Sequence, residues 1–358
     1  MKKPASADLS YFNARVRAMR GALLRKEDYE PLMRLDSVEA LVEKLKAAEY
    51  GPFIEAASAR YPDALEALSK ALLADLSESL GKLWKIAPEG ARPLLKAVLS
   101  NWEVYDLKTL VRGLSRGVKR EEIKAVLVPA GEFDMAALNT LLSSKDIPDL
   151  IGFLETWGSP YAGVLKPGLR EYQRNGRIIE LELGADLRTN RLLLDALSAG
   201  AAGWAADGRI MRDWLALRAD LQNALTLFKI AGEGYAPAAA SGFFIDGGFK
   251  LKRSNFVKLS GIRGKEELLD ALRETGGSVI KKVLDAAGPD PMLMEESAED
   301  AIKESFRALS VVDPLSIALP ASYMYMKVRE IKNLRLIARG AAFAVPLGEL
   351  RRLVFYPV

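Results

Sequence analysis

Apolar residues recur along this chain mainly at helical spacing. Leu65, Leu68, Leu72, Leu76, Leu80 and Leu83 fall three or four positions apart, which places them on one face of a helix. Ile210, Trp214, Leu217, Leu221, Leu225 and Phe228 form a second stripe, about five turns long at 3.6 residues per turn. Leu94, Leu95, Val98, Leu99, Trp102 and Tyr105 form a third, which runs on into Leu110. Strand signals are few. Ile179-Glu180-Leu181-Glu182-Leu183 alternates, but it leads directly into Leu187 and Leu192–Leu194 and reads as the start of a helix. Phe243-Phe244-Ile245 reads as the approach to a turn. The pattern predicts an all-α fold.

One apolar spacing occurs three times. Tyr29, Leu32, Leu41 and Leu45 are separated by three, nine and four positions, as are Leu138, Leu141, Leu150 and Leu154, and Phe256, Leu259, Leu268 and Leu272. A second landmark alternates with it: Asp106-Leu107-Lys108-Thr109-Leu110, Asp220-Leu221-Gln222-Asn223-Ala224 and Glu330-Ile331-Lys332-Asn333-Leu334. The apolar anchors lie 109 and 118 residues apart and the acidic anchors 114 and 110. Agreement between separate landmarks argues for internal repetition, although the period is too long for a solenoid.

Breakers separate the copies. Val128-Pro129-Ala130-Gly131 and Ile245-Asp246-Gly247-Gly248 end seven and eight residues before Leu138 and Phe256, where glycine supplies the positive φ that turns need. Cutting there predicts three helical units, 1–125, 126–244 and 245–358. Cutting before the acidic landmarks instead makes the two chain ends complete one unit together. Further loops are expected at Glu49–Pro52, Ala87–Pro93, Gly158–Gly168, Gly232–Gly242 and Ala286–Pro291. Asp36-Ser37-x-Glu39 and Lys265-Glu266-Glu267 supply helix-start signals.

Composition removes several kinds of chemistry. The 358 residues include no cysteine and no histidine, so disulfides, thiolate nucleophiles, the commonest general base and the commonest transition-metal ligand are all absent. The formal charge of +4 is modest, and without clustered basic residues it does not point to nucleic acid. Residues Ala308 to Met326 are the most apolar stretch of their length, but Asp313, Pro314 and Pro320 interrupt it, and a spanning helix needs about 20 predominantly apolar residues. Met1-Lys2-Lys3-Pro4 has no apolar segment after it and does not read as a signal peptide.

No catalytic, cofactor-binding or metal-ligating set emerges. Gly261-Ile262-Arg263-Gly264-Lys265 lacks the leading glycine and the trailing hydroxyl of a phosphate-binding loop, since Leu259 and Glu266 stand in those places. Gly232-Glu233-Gly234 meets Pro237 where a dinucleotide fingerprint needs its third glycine. Glu295-Glu296 and Glu299-Asp300 read as a solvated helix face without partners. Arg112-Gly113, Arg116-Gly117 and Arg339-Gly340, with Lys229 near the corresponding place in the middle copy, read as cations and glycines closing helices. The other reading of Arg112, Arg116 and Arg339 is contact with an acidic partner. Arg15, Arg17 and Arg20, with Arg25 and Lys26, form the nearest thing to a basic patch; they read as the solvated face of a helix whose apolar side carries Val16, Met19 and Leu23, and Arg15, Arg17 and Arg20 are also partner-interface candidates.

The end of the chain carries the most specific likeness. Asp313-Pro314-Leu315-Ser316-Ile317, Ala321-Ser322-Tyr323 and Lys327-Val328-Arg329-Glu330-Ile331-Lys332-Asn333-Leu334-Arg335-Leu336-Ile337-Ala338-Arg339-Gly340 closely resemble the end of the C subunit of archaeal and bacterial A/V-type rotary ATPases, a relative of the d subunit of eukaryotic vacuolar ATPases. Asn13-Ala14-Arg15-Val16-Arg17-Ala18-Met19, Leu23-Leu24, Tyr29 and Trp102-x3-Asp106-Leu107-Lys108-Thr109-Leu110-x-Arg112 agree with it in order. The middle copy departs most, with Ala224 in place of leucine and an Ala- and Pro-rich loop from Tyr235 to Ala240. The resemblance implies three similar helical domains in a funnel and a non-catalytic, cofactor-free rotor subunit on the cytoplasmic side. It also implies two partners, the central rotor shaft and the membrane proteolipid ring, with no membrane span of its own. Two other readings of the residues remain beside it: a histidine-free helical enzyme, and a general helical scaffold.

Overall fold

A computed structural model describes residues 9–200, 205–231 and 233–356. The Met1-Lys2-Lys3-Pro4 segment and Gly232 lie outside the described residues. The fold is all-α: among the described residues there is no strand, only an isolated bridge between Ala130 and Phe133.

Local chemistry sets many of the helix starts. Ser37, Asp63 and Asp146 each accept a hydrogen bond from the backbone N–H three residues on, at 3.2, 2.7 and 2.8 Å, satisfying donors that the first helical turn leaves open. They open the helices Val38–Lys46, Ala64–Ile86 and Ile147–Thr156. The alternating residues from Ile179 to Leu183 lie within the helix Ile178–Gly200.

Two expected loops are corrected. Gly158–Gly168 is largely helical, because Pro160 occupies the first position of the helix Pro160–Asn175, where a missing N–H costs nothing. Gly168 is there for packing: a Cβ at this position would lie 2.9 Å from the Leu181 Cα, so glycine permits the close approach of the helix Ile178–Gly200. The segment Gly232–Gly242 likewise holds a short helix, Pro237–Ala240, and the start of a 3-10 turn, Ser241–Phe243.

The chain forms two compact units, with unit boundaries inside the helices Arg92–Arg116 and Pro291–Val312. The terminal unit comprises the described residues of 9–95, 128–135 and 303–356. Its axis is the helix Ala318–Ala342, most of whose residues are buried. Against it pack Ser10–Gly21, Lys26–Met33, Val38–Lys46, Ala64–Ile86 and Leu347–Leu353. Both ends of the chain therefore help to build one core, with Arg351 paired to Glu30 across them.

The mid-chain unit comprises the described residues of 96–127 and 136–302. There Ile178–Gly200 packs against Pro160–Asn175 and Ala205–Ile230. Ala205–Ile230 also meets the short helices Arg253–Leu259, Lys265–Thr275 and Gly277–Ala287. Each copy of the three-nine-four spacing forms two short helices: Lys26–Met33 with Val38–Lys46, Met135–Leu142 with Ile147–Thr156, and Arg253–Leu259 with Lys265–Thr275. All twelve of its apolar side chains are buried.

Candidate functional site

Buried carboxylates on the long helices organise both units. In the terminal unit Glu330, 1% exposed, accepts hydrogen bonds from the Leu24 backbone N–H at 2.5 Å and from the Tyr50 hydroxyl. Lys327 lies 3.0 Å from Glu330 and 2.7 Å from Asp75, so one ammonium serves two buried carboxylates. Burial pushes the Glu330 and Asp75 carboxyls above the usual range, and Lys327 offsets this only in part. Burial alone would lower Lys327, but Glu330 and Asp75 outweigh it and raise the ammonium pKa.

Asp220, in the mid-chain unit, holds a loop instead. Its two oxygens accept from the backbone N–H groups of Phe249, Lys250 and Leu251 at 2.9, 2.8 and 3.0 Å. Leu251 precedes one pair of short helices as Leu24 precedes another.

Tyr161 donates to Glu103, as Tyr50 donates to Glu330. The amide groups of Asn223 and Asn333 donate to the Ile245 and Phe355 carbonyls at 2.9 and 2.7 Å.

A second charged network joins four helices of the mid-chain unit. Lys108 pairs with Asp186 at 2.8 Å, and Gln222 also donates to Asp186 at 2.6 Å. Arg112 grips Glu182 through two nitrogens, at 2.5 and 3.1 Å, and Lys229 pairs with Glu295. Burial would push the Glu295 carboxyl up, but Lys229, Lys108 and Arg112 outweigh it and bring it down to about 2. Burial would lower Lys229, and Glu295 with Asp186 reverses that.

The solvated, partnerless reading of the carboxylates near residue 295 is corrected: Glu295 belongs to this network, and Glu299 accepts from the Trp102 indole at 2.8 Å. Chemically the network consists of ion pairs and amide contacts, a bracing arrangement. Among the described residues there is no His/Cys/Asp/Glu cluster able to hold a metal ion.

The six arginines singled out as interface candidates have different settings. Arg15, Arg17 and Arg20 share the helix Ser10–Gly21, which contains no acidic residue. Arg15 donates to the Tyr11 hydroxyl at 3.0 Å and lies 5.9 Å from the centre of its ring. Arg17 donates to the Pro314 carbonyl at 2.7 Å, while Arg20 is half-buried in the last turn. Arg112 is taken up by Glu182. Arg116 is exposed at the end of its helix, and Gly117 follows at φ 62°. Arg339 is half-buried within Ala318–Ala342.

Gly113 and Gly340 do not cap helices. A Cβ at Gly113 would collide with the Ile123 side chain, and one at Gly340 would lie 2.7 Å from Leu350. Both glycines let a following short helix approach. The stretch from Ala308 to Met326 also holds surface residues that apolarity alone did not reveal. Val311, Val312 and Leu315 are exposed, and Asn13 and Arg17 tie their turn to the first helix. The breakers Asp313 and Pro314 were the available signal for that turn.

The family described as ATP synthase (C/AC39) subunit matches residues 12–353. The chain belongs to this family. It is 29% identical over 343 residues to the C subunit of the A-type ATP synthase of Haloferax volcanii, covering 95% of each chain. It is 29% identical over 350 residues to the C subunit of the V-type ATP synthase of Thermus thermophilus, covering 98% of this chain and 99% of the relative. Members of the family are structural rather than catalytic subunits, which accords with ionisable networks devoted to holding helices. No helix among the described residues is long and apolar enough to cross a membrane.

Proposed function

We propose that this chain is the rotor subunit of an A/V-type ATPase that couples the central shaft to the membrane proteolipid ring during ATP-linked proton or sodium transport. Family membership along nearly the whole chain is the observation that carries the reading. Dense packing around Ala318–Ala342 and the braced helices of the mid-chain unit suit a part that transmits force, because close-packed interiors deform little and pass strain on. The reading places the chain on the cytoplasmic side and attaches it to the membrane through its partners.

The same reading divides the chain into three related helical domains. The three pairs of short helices support it, as do Glu330 and Asp220, each of which holds the backbone just before such a pair. Glu330 holds residue 24, which favours the frame in which the two chain ends complete one domain.

The test is reconstitution in vesicles with and without this chain. Without it, the soluble head should still hydrolyse ATP, while ATP-driven ion uptake should be lost; adding the purified chain should restore uptake. Undiminished uptake in its absence would sink the proposal.

A further inference from the structure

Within the terminal unit, two turns join pairs of long helices, and they treat their apolar side chains differently. In the turn between Ala64–Ile86 and Arg92–Arg116, Ala87 and Ala91 are buried, and Trp84, 38% exposed, has the Arg92 guanidinium 5.7 Å from the centre of its ring. In the turn between Pro291–Val312 and Ala318–Ala342, Val311, Val312 and Leu315 are 70%, 83% and 51% exposed. Tyr11, on the helix tied to this turn, is 65% exposed. A helical connection therefore does not require such exposure, and grouped exposed apolar residues mark an interaction surface.

This second turn is held in shape. The Pro314 carbonyl accepts from Arg17 at 2.7 Å and from Asn13 at 3.3 Å, and Asn13 also donates to the Ser316 carbonyl at 3.0 Å. The Ser316 hydroxyl donates to the Asp313 carbonyl at 2.7 Å. The Asp313 carboxylate is turned onto the Leu315 backbone N–H at 3.3 Å. Beside the turn stand Arg15, Arg17 and Arg20, which have no carboxylate partner among the described residues.

We infer that residues 311–315 and the basic helix Ser10–Gly21 form a docking surface for an acidic protein segment with an apolar face, belonging to another subunit of the same assembly. This rests on the proposed role within an ATPase. The charge excess on the helix calls for carboxylates, and the apolar tip calls for a dry pocket between them. The ordered turn lowers the entropy lost on docking, and Tyr and Arg beside an apolar centre are the residue types that dominate protein interfaces. An anionic lipid surface would attract the same charges. The tethered turn favours protein, because a fixed apolar tip held by Asn13 and Arg17 is a shape that a complementary pocket reads and a fluid lipid surface does not.

The experiment measures binding of the purified chain to the purified remaining subunits across a salt series. The variants are Val312→Glu with Leu315→Glu, Arg15→Glu with Arg20→Glu, and Phe343→Glu as a control. Phe343 is 73% exposed in the same unit, past the far end of Ala318–Ala342, a helix roughly 36 Å long at 1.5 Å per residue.

The first variant should weaken binding at least tenfold. The second should weaken it several-fold and flatten its salt dependence, while Phe343→Glu should leave it within twofold. A photo-cross-linker at position 312 should label a subunit at an acidic segment. Full binding by both tip and helix variants would overturn the inference, as would retention of the chain on vesicles containing anionic lipid but not on the subunits. If the wild-type chain binds none of the subunits, the coupling reading itself has failed, which is a separate outcome.

Discussion

The cluster around Lys327 in the terminal unit and the network around Lys108, Arg112 and Lys229 in the mid-chain unit pair charge in different proportions, and the proportion decides how each responds to pH. Around Lys327 two carboxylates share one ammonium, so all three groups favour holding protons. In the mid-chain unit Lys108, Arg112 and Lys229 meet Asp186, Glu182 and Glu295 one to one. There the charged forms stabilise each other: Glu295 is lowered and Lys229 raised. Pairing in equal numbers sustains ionisation inside a fold, whereas a shortage of cations leaves carboxylates partly uncompensated and dependent on hydroxyl and backbone donors such as Tyr50 and Leu24.

The strongest way to break this contrast is Lys327→Met. It leaves Glu330 and Asp75 buried without a counter-ion, and removing one partner of a buried pair costs about 3–5 kcal/mol. Urea unfolding followed by circular dichroism should show that loss in the transition of the terminal unit. Adding Asp75→Asn should recover part of it. A loss below about 1 kcal/mol would mean that the ammonium matters little beside Tyr50 and Leu24.

Asp220→Ala tests a carboxylate held by backbone donors instead. Three N–H groups lose their acceptor, and unmet polar groups cost about 1–3 kcal/mol when buried. A net loss of about 2–3 kcal/mol is expected, since Phe249 and Lys250 retain access to water. Hydrogen exchange at residues 249–251 should accelerate most. Unchanged protection there would show that the loop holds itself in place.

Much of the helical framework was legible because its apolar spacing translates directly into buried faces. Tyr29, Leu138 and Phe256 each open the three-nine-four spacing, and all are buried. What stayed illegible depends on tertiary neighbours. Nothing near Gly168 in the chain announces the backbone of Leu181, and nothing near Glu295 announces Lys229. Glycine and proline signalled a loop where they serve a close helix crossing, and acidic residues signalled a solvated face where they form ion pairs. Of the candidate interface, the basic helix was readable from its arginines. The apolar tip was not, because exposure of Val311 and Val312 depends on which elements fail to cover them.

A pH comparison separates the two kinds of network. Glu295 has a folded value of about 2 against an ordinary 4.5. Its contribution is therefore present above the unfolded value and is lost as pH falls through about 2, amounting to at most about 3 kcal/mol at 1.36 kcal/mol per unit. The stability gap between the wild type and Glu295→Gln should close between pH 5 and pH 2. Lys327 is raised, so its contribution is present below the ordinary lysine value of 10.5 and is lost as pH rises through its elevated folded value. Glu330 is raised too, so the penalty of Lys327→Met should shrink in acid as the orphaned carboxylates protonate. A gap for Glu295→Gln that stayed constant across the acid range would place its effect in packing rather than in charge.

The smallest expected effect sharpens the comparison by stabilising one unit without touching either network. Ala344 has φ 50°, a left-handed conformation that costs an L-residue with a Cβ roughly 1–2 kcal/mol. It sits just past Ala318–Ala342, where the Val345 N–H bonds the Gly340 carbonyl at 2.9 Å and closes the helix end. Glycine occupies this conformation without the steric penalty but loses more entropy on folding. Ala344→Gly should therefore stabilise the terminal unit by a net of about 1 kcal/mol or less. In that background Lys327→Met should fall by the same increment as in the wild type, because distant sites add. A shift in the mid-chain transition instead would show that the helix end and the Lys108–Asp186 network unfold together, and the contrast between the two units would have to be redrawn.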